Sequence, residues 1–213
     1  MAKRFLLVLM LFMFISCSRS VVVMVPPRID LTAQPSIGLI SFSVENAKGE
    51  LDEMATQRFL QAITQHQGGV QIIELGKIDE VLNQVNKSTL DQNAIRAIGE
   101  RFNVTSFFYG KISVSDVKPQ VSIGALIKSM SVRASFNMSV TSRLYSTESG
   151  RTMWTDSVYR KGSLANIGLM EGKIPHFSMQ DKDEAFMVII EQMMYDLSRD
   201  FRPTAQRVRK QRR

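Results

Sequence analysis

The sequence predicts an α/β fold of the α+β sandwich kind, with one mixed, largely antiparallel sheet and helices packed mainly on one face. Three observations predict it. Apolar strands and helices follow in the order strand, helix, strand, two helices, strand, long hairpin, helix. Ser131–Tyr145 alternates strictly, with Val132, Ala134, Phe136, Met138, Val140 and Leu144 on one face and Ser131, Arg133, Ser135, Asn137, Ser139, Thr141 and Arg143 on the other. Such a strand has one buried and one wet face, the pattern of an antiparallel sheet. Finally, Leu51–Ile63 and Phe186–Phe201 repeat apolar residues at three- and four-residue steps, each a helical stripe.

Taken in order, the chain opens on MAKRFLLVLMLFMFISC. Lys3 and Arg4 form a basic head, Phe5–Ile15 is an unbroken apolar run of eleven residues, and Ser16 precedes Cys17, the only cysteine. This is the layout of a secretory signal. As a helix the run would span only about half of a ~30 Å bilayer core, so it is not a stable transmembrane segment. The small residue followed directly by cysteine resembles a bacterial lipoprotein signal, in which the cysteine is acylated and becomes the new N-terminus. Phe14 stands where that motif favours leucine. The alternative is a plain secretory signal with an incidental cysteine.

Residues 1–16 are thus read as signal and 17–34 as lipidated Cys17 and tether, with Val21–Val25 before the extended Pro26-Pro27. The α/β domain is placed at 35–202. Ile37–Val44 is an apolar strand, and Leu51, Met54, Ala55, Phe59, Ala62 and Ile63 form the first helical stripe, stopped by Gly68-Gly69. Val70–Leu75 is a strand, and Ile78, Val81, Leu82 and Val85 mark a short helix. Ser88 or Thr89 caps a third helix with the stripe Ala94, Ile95, Ile98 and Phe102, ended by Asn103. Ser106–Ser115 is a strand in which Gly110 marks a bulge or a close backbone contact. After Ser131–Tyr145, the turn Ser146–Gly150 leads into Arg151–Arg160, with Trp154 expected in the core. Gly162–Gln180 reads as irregular, and Asp181 and Asp183 lead the last helix, closed by Pro203.

Several of these stretches together resemble the curli-secretion-channel-like (CsgG-like) lipoprotein superfamily, which includes penicillin-binding-protein activator lipoproteins. They are Val25–Leu31, Ile37–Phe42, Ile72–Ile78, Ala97–Val104 leading to Phe108–Ile112, and Leu144–Ser157. The resemblance covers roughly Val25–Phe201. Its motifs are structural, so it implies the fold and an envelope setting more than any activity. Pore-forming members insert membrane hairpins between core strands. Here Asp116–Met130 is too short for one, and Gly162–Gln180, with Glu171, Lys173 and Pro175, does not alternate.

Charge bounds the partners. The net charge is +7, but Lys3 and Arg4 belong to the signal, and Arg202, Arg207, Arg209, Lys210, Arg212 and Arg213 crowd the C-terminus, which leaves the body at about −1. The basic character is an arm, read as a disordered tail over 203–213, and not a property of the fold. On an exported lipoprotein such an arm points to anionic lipid or cell-wall polymer, not nucleic acid.

No catalytic constellation is visible. His66 and His176 stand alone, Asp181, Asp183 and Glu184 suit a helix start, and there is no phosphate loop, dinucleotide fingerprint or Gly-x-Ser-x-Gly. The expectation is therefore no enzyme, no metal and no cofactor. Val121–Met130 and the apolar residues of 164–179 are candidate partner surfaces. The function expected is a non-enzymatic envelope lipoprotein, an assembly or accessory factor with a protein partner or further copies of itself. Ser18 is not the aspartate of inner-membrane retention, which favours the outer membrane, facing the periplasm. The alternatives are a secretion-channel subunit and an envelope hydrolase with an unrecognised site.

Overall fold

The computed structural model describes residues 20–45, 51–115, 118–123, 130–168 and 179–209. Its elements are β1 (Ser20–Val25), β2 (Ile37–Ile40), β3 (Ser43–Glu45), α1 (Leu51–Thr64), β4 (Ile72–Gly76), α2 (Ile78–Gln84), α3 (Gln92–Phe102), β5 (Ser106–Val114), β6 (Lys118–Ile123), β7 (Met130–Ser146), β8 (Arg151–Gly168), α4 (Met179–Leu197), a 3₁₀ turn (Ser198–Phe201) and β9 (Thr204–Arg209). Seven strands make a mixed sheet in the order β4-β2-β5-β7-β6, with β3 also beside β5 and β8 on the far side of β7. The β2–β4, β2–β5 and β3–β5 pairs are parallel, and the ladders of β7 with β5, β6 and β8 are antiparallel. The expected mixed, largely antiparallel sheet is what forms.

Strand β5 sets the layering. Its first half, Ser106–Gly110, is buried on both faces, and from Lys111 onward it alternates. Phe108, Ile112 and Val114 face a core shared with Phe59 and Ile63 of α1, Phe186, Ile190, Met193 and Leu197 of α4, and Phe136, Met138 and Val140 of β7. Phe107 and Tyr109 face a smaller core on the opposite side, where Val81 of α2 and Ile95 and Ile98 of α3 cover only the parallel end. The longer helices thus share one face, and the two shorter ones roof a corner of the other.

The expected first strand, Ile37–Val44, breaks into β2 and β3. Ser41 N–H donates to Gly76 O at 3.0 Å, and Phe42 N–H donates to the buried Thr56 Oγ1 at 2.9 Å. Phe42 leaves the ladder and lies in the core at 1% exposure. Gly110 makes the space, because a Cβ there would overlap the Phe42 ring. The register of β5 on β7 runs unbroken from Ser106↔Ser146 to Val114↔Met138, so Gly110 marks a close contact and not a bulge. The rings of Phe42, Phe59, Phe108, Phe201 and Trp154 then meet edge to face in sequence, with centroids 4.7–5.5 Å apart along Phe42–Phe59–Phe108–Phe201–Trp154. Trp154 is buried, as its place in the hairpin predicts.

Other expectations are corrected. Helix α3 begins later than expected, and its cap is Asp91, whose carboxylate accepts from Ala94 N–H at 2.7 Å; neither Ser88 nor Thr89 caps it. Asn103 ends it in the left-handed conformation, φ 52°. Gly150 takes the positive-φ position of the β7–β8 turn, φ 68°. The stretch from Gly162 is not irregular at its start, because β8 continues to Gly168 and pairs with β7 as far as Ser131. Lys118–Ile123, within an expected loop, is β6 on the same strand. Residues 169–178, with His176 and most of that candidate apolar surface, lie outside the described residues, as do 124–129. The tether is largely built in, since Leu31 is buried in the main core and Ile29 packs against it.

Candidate functional site

The two ends of the described chain come together. β1, SVVVMV, is rich in β-branched residues, which suit a strand, and Pro26-Pro27 end it. β9, TAQRVR, follows Pro203. They form a separate two-stranded antiparallel ribbon with the register Ser20↔Arg209, Val21↔Val208, Val22↔Arg207, Val23↔Gln206, Met24↔Ala205 and Val25↔Thr204. The disordered arm expected from 203 is thereby corrected over Thr204–Arg209. Charge and scarce apolar side chains argue against a core, but they do not prevent a strand whose partner is as strong a β-former as Val21–Val25.

Directly opposed residues share a face of an antiparallel ladder. One face carries Val22, Met24, Ala205 and Arg207, and the other carries Val21, Val23, Val25, Thr204, Gln206 and Val208. Val21, Val22, Val23, Met24 and Val208 are 45–61% exposed.

The ribbon's root is held by two buried or half-buried polar side chains. Gln67, 3% exposed, accepts through Oε1 from Leu31 N–H at 3.0 Å. Its Nε2 donates to Ile29 O at 3.0 Å and to Phe201 O at 2.9 Å. One amide thus ties the end of α1 to the segment after β1 and the segment before β9. Asp200 makes the second tie, since its backbone O accepts from Ile29 N–H at 2.9 Å, and its carboxylate accepts from Trp154 Nε1–H at 3.1 Å and lies 3.6 Å from the Arg28 guanidinium. Phe201, fully buried between Phe108 and Trp154, supplies the apolar weight. Near the root, the exposed Asp30 carboxyl is held below its ordinary range, first by the Thr32 hydroxyl at 2.6 Å and then by the Thr32 N–H at 2.9 Å.

Arg202 is corrected as a contact residue. Its Nη2 donates to Tyr195 O at 2.7 Å and its guanidinium stacks 3.5 Å from the Tyr195 ring centroid, so it closes the end of α4 and does not serve a free arm. Arg207 is exposed on the ribbon, and Arg209 is paired by register with Ser20. Cys17, Lys210, Arg212 and Arg213 lie outside the described residues. Gln67 and Asp200 carried no motif by which sequence reasoning could have found them.

Elsewhere the surface offers shallow grooves. The uncovered sheet face past Gly110 presents Lys111, Ser113, Ser139, Thr141 and Arg143 beside Glu45, with Lys111 Nζ 3.7 Å from the Glu45 carboxylate. His66 is exposed just after α1. Among the described residues no three His, Cys, Asp or Glu side chains gather as metal ligands. Among them, too, no helix is long and apolar enough to cross a membrane.

No family model matches the chain, and no curated protein does. Among solved structures it is similar to the PelC dodecamer from Paraburkholderia phytofirmans, at 9% identity over 86% of this chain and 98% of that one, TM-score 0.44. It is similar to lipoprotein GNA1162 from Neisseria meningitidis at 15% identity, 72% and 94% coverage and TM-score 0.35. It is also similar to the LpoB C-terminal domain from Salmonella enterica at 12% identity, 59% and 81% coverage and TM-score 0.35. The curli-secretion-channel-like assignment therefore stays a resemblance of motifs.

Proposed function

We propose that this chain is a non-enzymatic cell-envelope lipoprotein, held through Cys17 to the outer membrane and facing the periplasm. It serves as an assembly, scaffold or accessory factor of an envelope or secretion system through a protein partner or further copies of itself. The observation that carries this reading is the ladder in which Ser20 stands opposite Arg209, so that both ends of the fold leave it as one ribbon three residues beyond Cys17. The signal layout of Met1–Cys17 supports the same reading.

Replacing Cys17 with alanine tests it. The variant keeps the circular dichroism of the parent but leaves the carbonate-washed membrane pellet for the soluble or unprocessed fraction. A fully processed variant that remains in the pellet would overturn lipidation as the anchor.

A second reading, a channel subunit, draws on β7 and β8, which run 17 and 18 residues and pass the end of β5. A ring of many copies on native mass measurement favours the channel, and a monomer or small oligomer favours the accessory factor.

A further inference from the structure

We infer that the β1–β9 ribbon is the part of the molecule that lies against an anionic bilayer, through the face bearing Val22, Met24, Ala205 and Arg207. The inference rests on the anchor reading for its setting, but its evidence lies in the ribbon.

A lone two-stranded ribbon is marginal in water, and this one leaves four consecutive apolar side chains of β1 about half exposed. It therefore requires a surface. The charge pattern says which kind. The body is at about −1, while five of the six C-terminal cations follow Pro203. The antiparallel ladder carries two of them, Arg207 and Arg209, toward Ser20 and away from the fold. Cys17 is three residues before Ser20, at most about 11 Å of extended chain. The cationic end of the ribbon and the anchoring residue therefore share one end of the molecule. A bilayer bearing phosphate headgroups complements both features: headgroup phosphates meet Arg207, and the acyl boundary meets Val22 and Met24. The opposite face has no charged residue. Gln67 and Asp200 tie together the two backbone segments from which the ribbon leaves the fold.

The test uses the chain from residue 17 onward with Cys17→Ser, which keeps every described residue and removes lipidation. Vesicles of phosphatidylglycerol and phosphatidylethanolamine are compared with phosphatidylcholine vesicles. Binding is expected to anionic vesicles at low salt and to fade at high salt. Arg207→Gln with Arg209→Gln should weaken it roughly thirtyfold, at about fivefold per charge. Val22→Pro with Val23→Pro keeps every charge but removes an inward N–H, whichever of the two points to β9, and should also weaken it. Since Cys17 is the only cysteine, nitroxides at Val22→Cys and Val23→Cys report the two faces separately. The label at 22 should gain lipid contact and the label at 23 should gain less.

Equal binding to both vesicle types would overturn the inference, as would a proline variant that binds like the parent. Labels immobilised without lipid, in a self-associated species, would do the same by assigning the ribbon to a second copy. Failure here leaves the Cys17 anchor standing, and an unmodified Cys17 in the natural chain leaves the vesicle result standing.

Discussion

Replacing Gln67 with alanine should loosen both ends of the chain at once. The side chain makes three hydrogen bonds to the backbone of Ile29, Leu31 and Phe201, two of them fully buried. Each is worth about 1 kcal/mol net, and the groups left behind have no other partner close by, so the loss is about 3 kcal/mol. For a chain of this size that is roughly 6–12 °C in Tm. The loss should also be local, because the tied segments root β1 and β9. Limited trypsinolysis should cut faster at Arg28, Arg199 and Arg207 before the body unfolds. Replacing Gln67 with glutamate sharpens the test. The new carboxylate would face the carbonyls of Ile29 and Phe201, so burial against acceptors raises its folded pKa above the unfolded value. A raised pKa means that stability is fully present below the unfolded pKa and is lost as pH rises through the folded one. The glutamate variant should regain stability on acidification relative to the alanine variant. A Tm within about 2 °C of the parent for alanine, with unchanged cleavage, would refute the clamp.

Three further outcomes follow from the same geometry. Phe201→Ala empties a fully buried site between Phe108 and Trp154 and should cost about 3–5 kcal/mol by urea unfolding. Asp91→Ala removes the cap of α3 and should cost about 1 kcal/mol, while Ser88→Ala and Thr89→Ala should be near neutral. The Asp30 carboxyl should titrate below an ordinary aspartate in an NMR titration and move upward in Thr32→Val; the depressed pKa adds stability above the unfolded value that is lost as pH falls through the folded one.

Most of the sheet was legible because its signals are local. The alternation of Ser131–Tyr145 places Phe136, Met138, Val140 and Leu144 in the core without tertiary knowledge. What was missed depends on residues far apart. The break at Ser41–Phe42 is decided by Thr56 and Gly110, and Asp91 outcompetes Ser88 and Thr89 because only it reaches Ala94 N–H. The ribbon is the strongest case. Thr204–Arg209 carries too much charge and too few apolar residues to predict a strand alone, and it becomes one opposite Val21–Val25, almost two hundred residues earlier. Gln67 was illegible for the same reason, since a glutamine after a helix is ordinarily solvated.

The most direct test of the account is mass spectrometry of the N-terminal peptide from the protein extracted from bacterial membranes. The account predicts a mature chain that begins at Cys17 and carries lipid on it. A chain that begins at another residue, or a mature Cys17 without lipid, would contradict it.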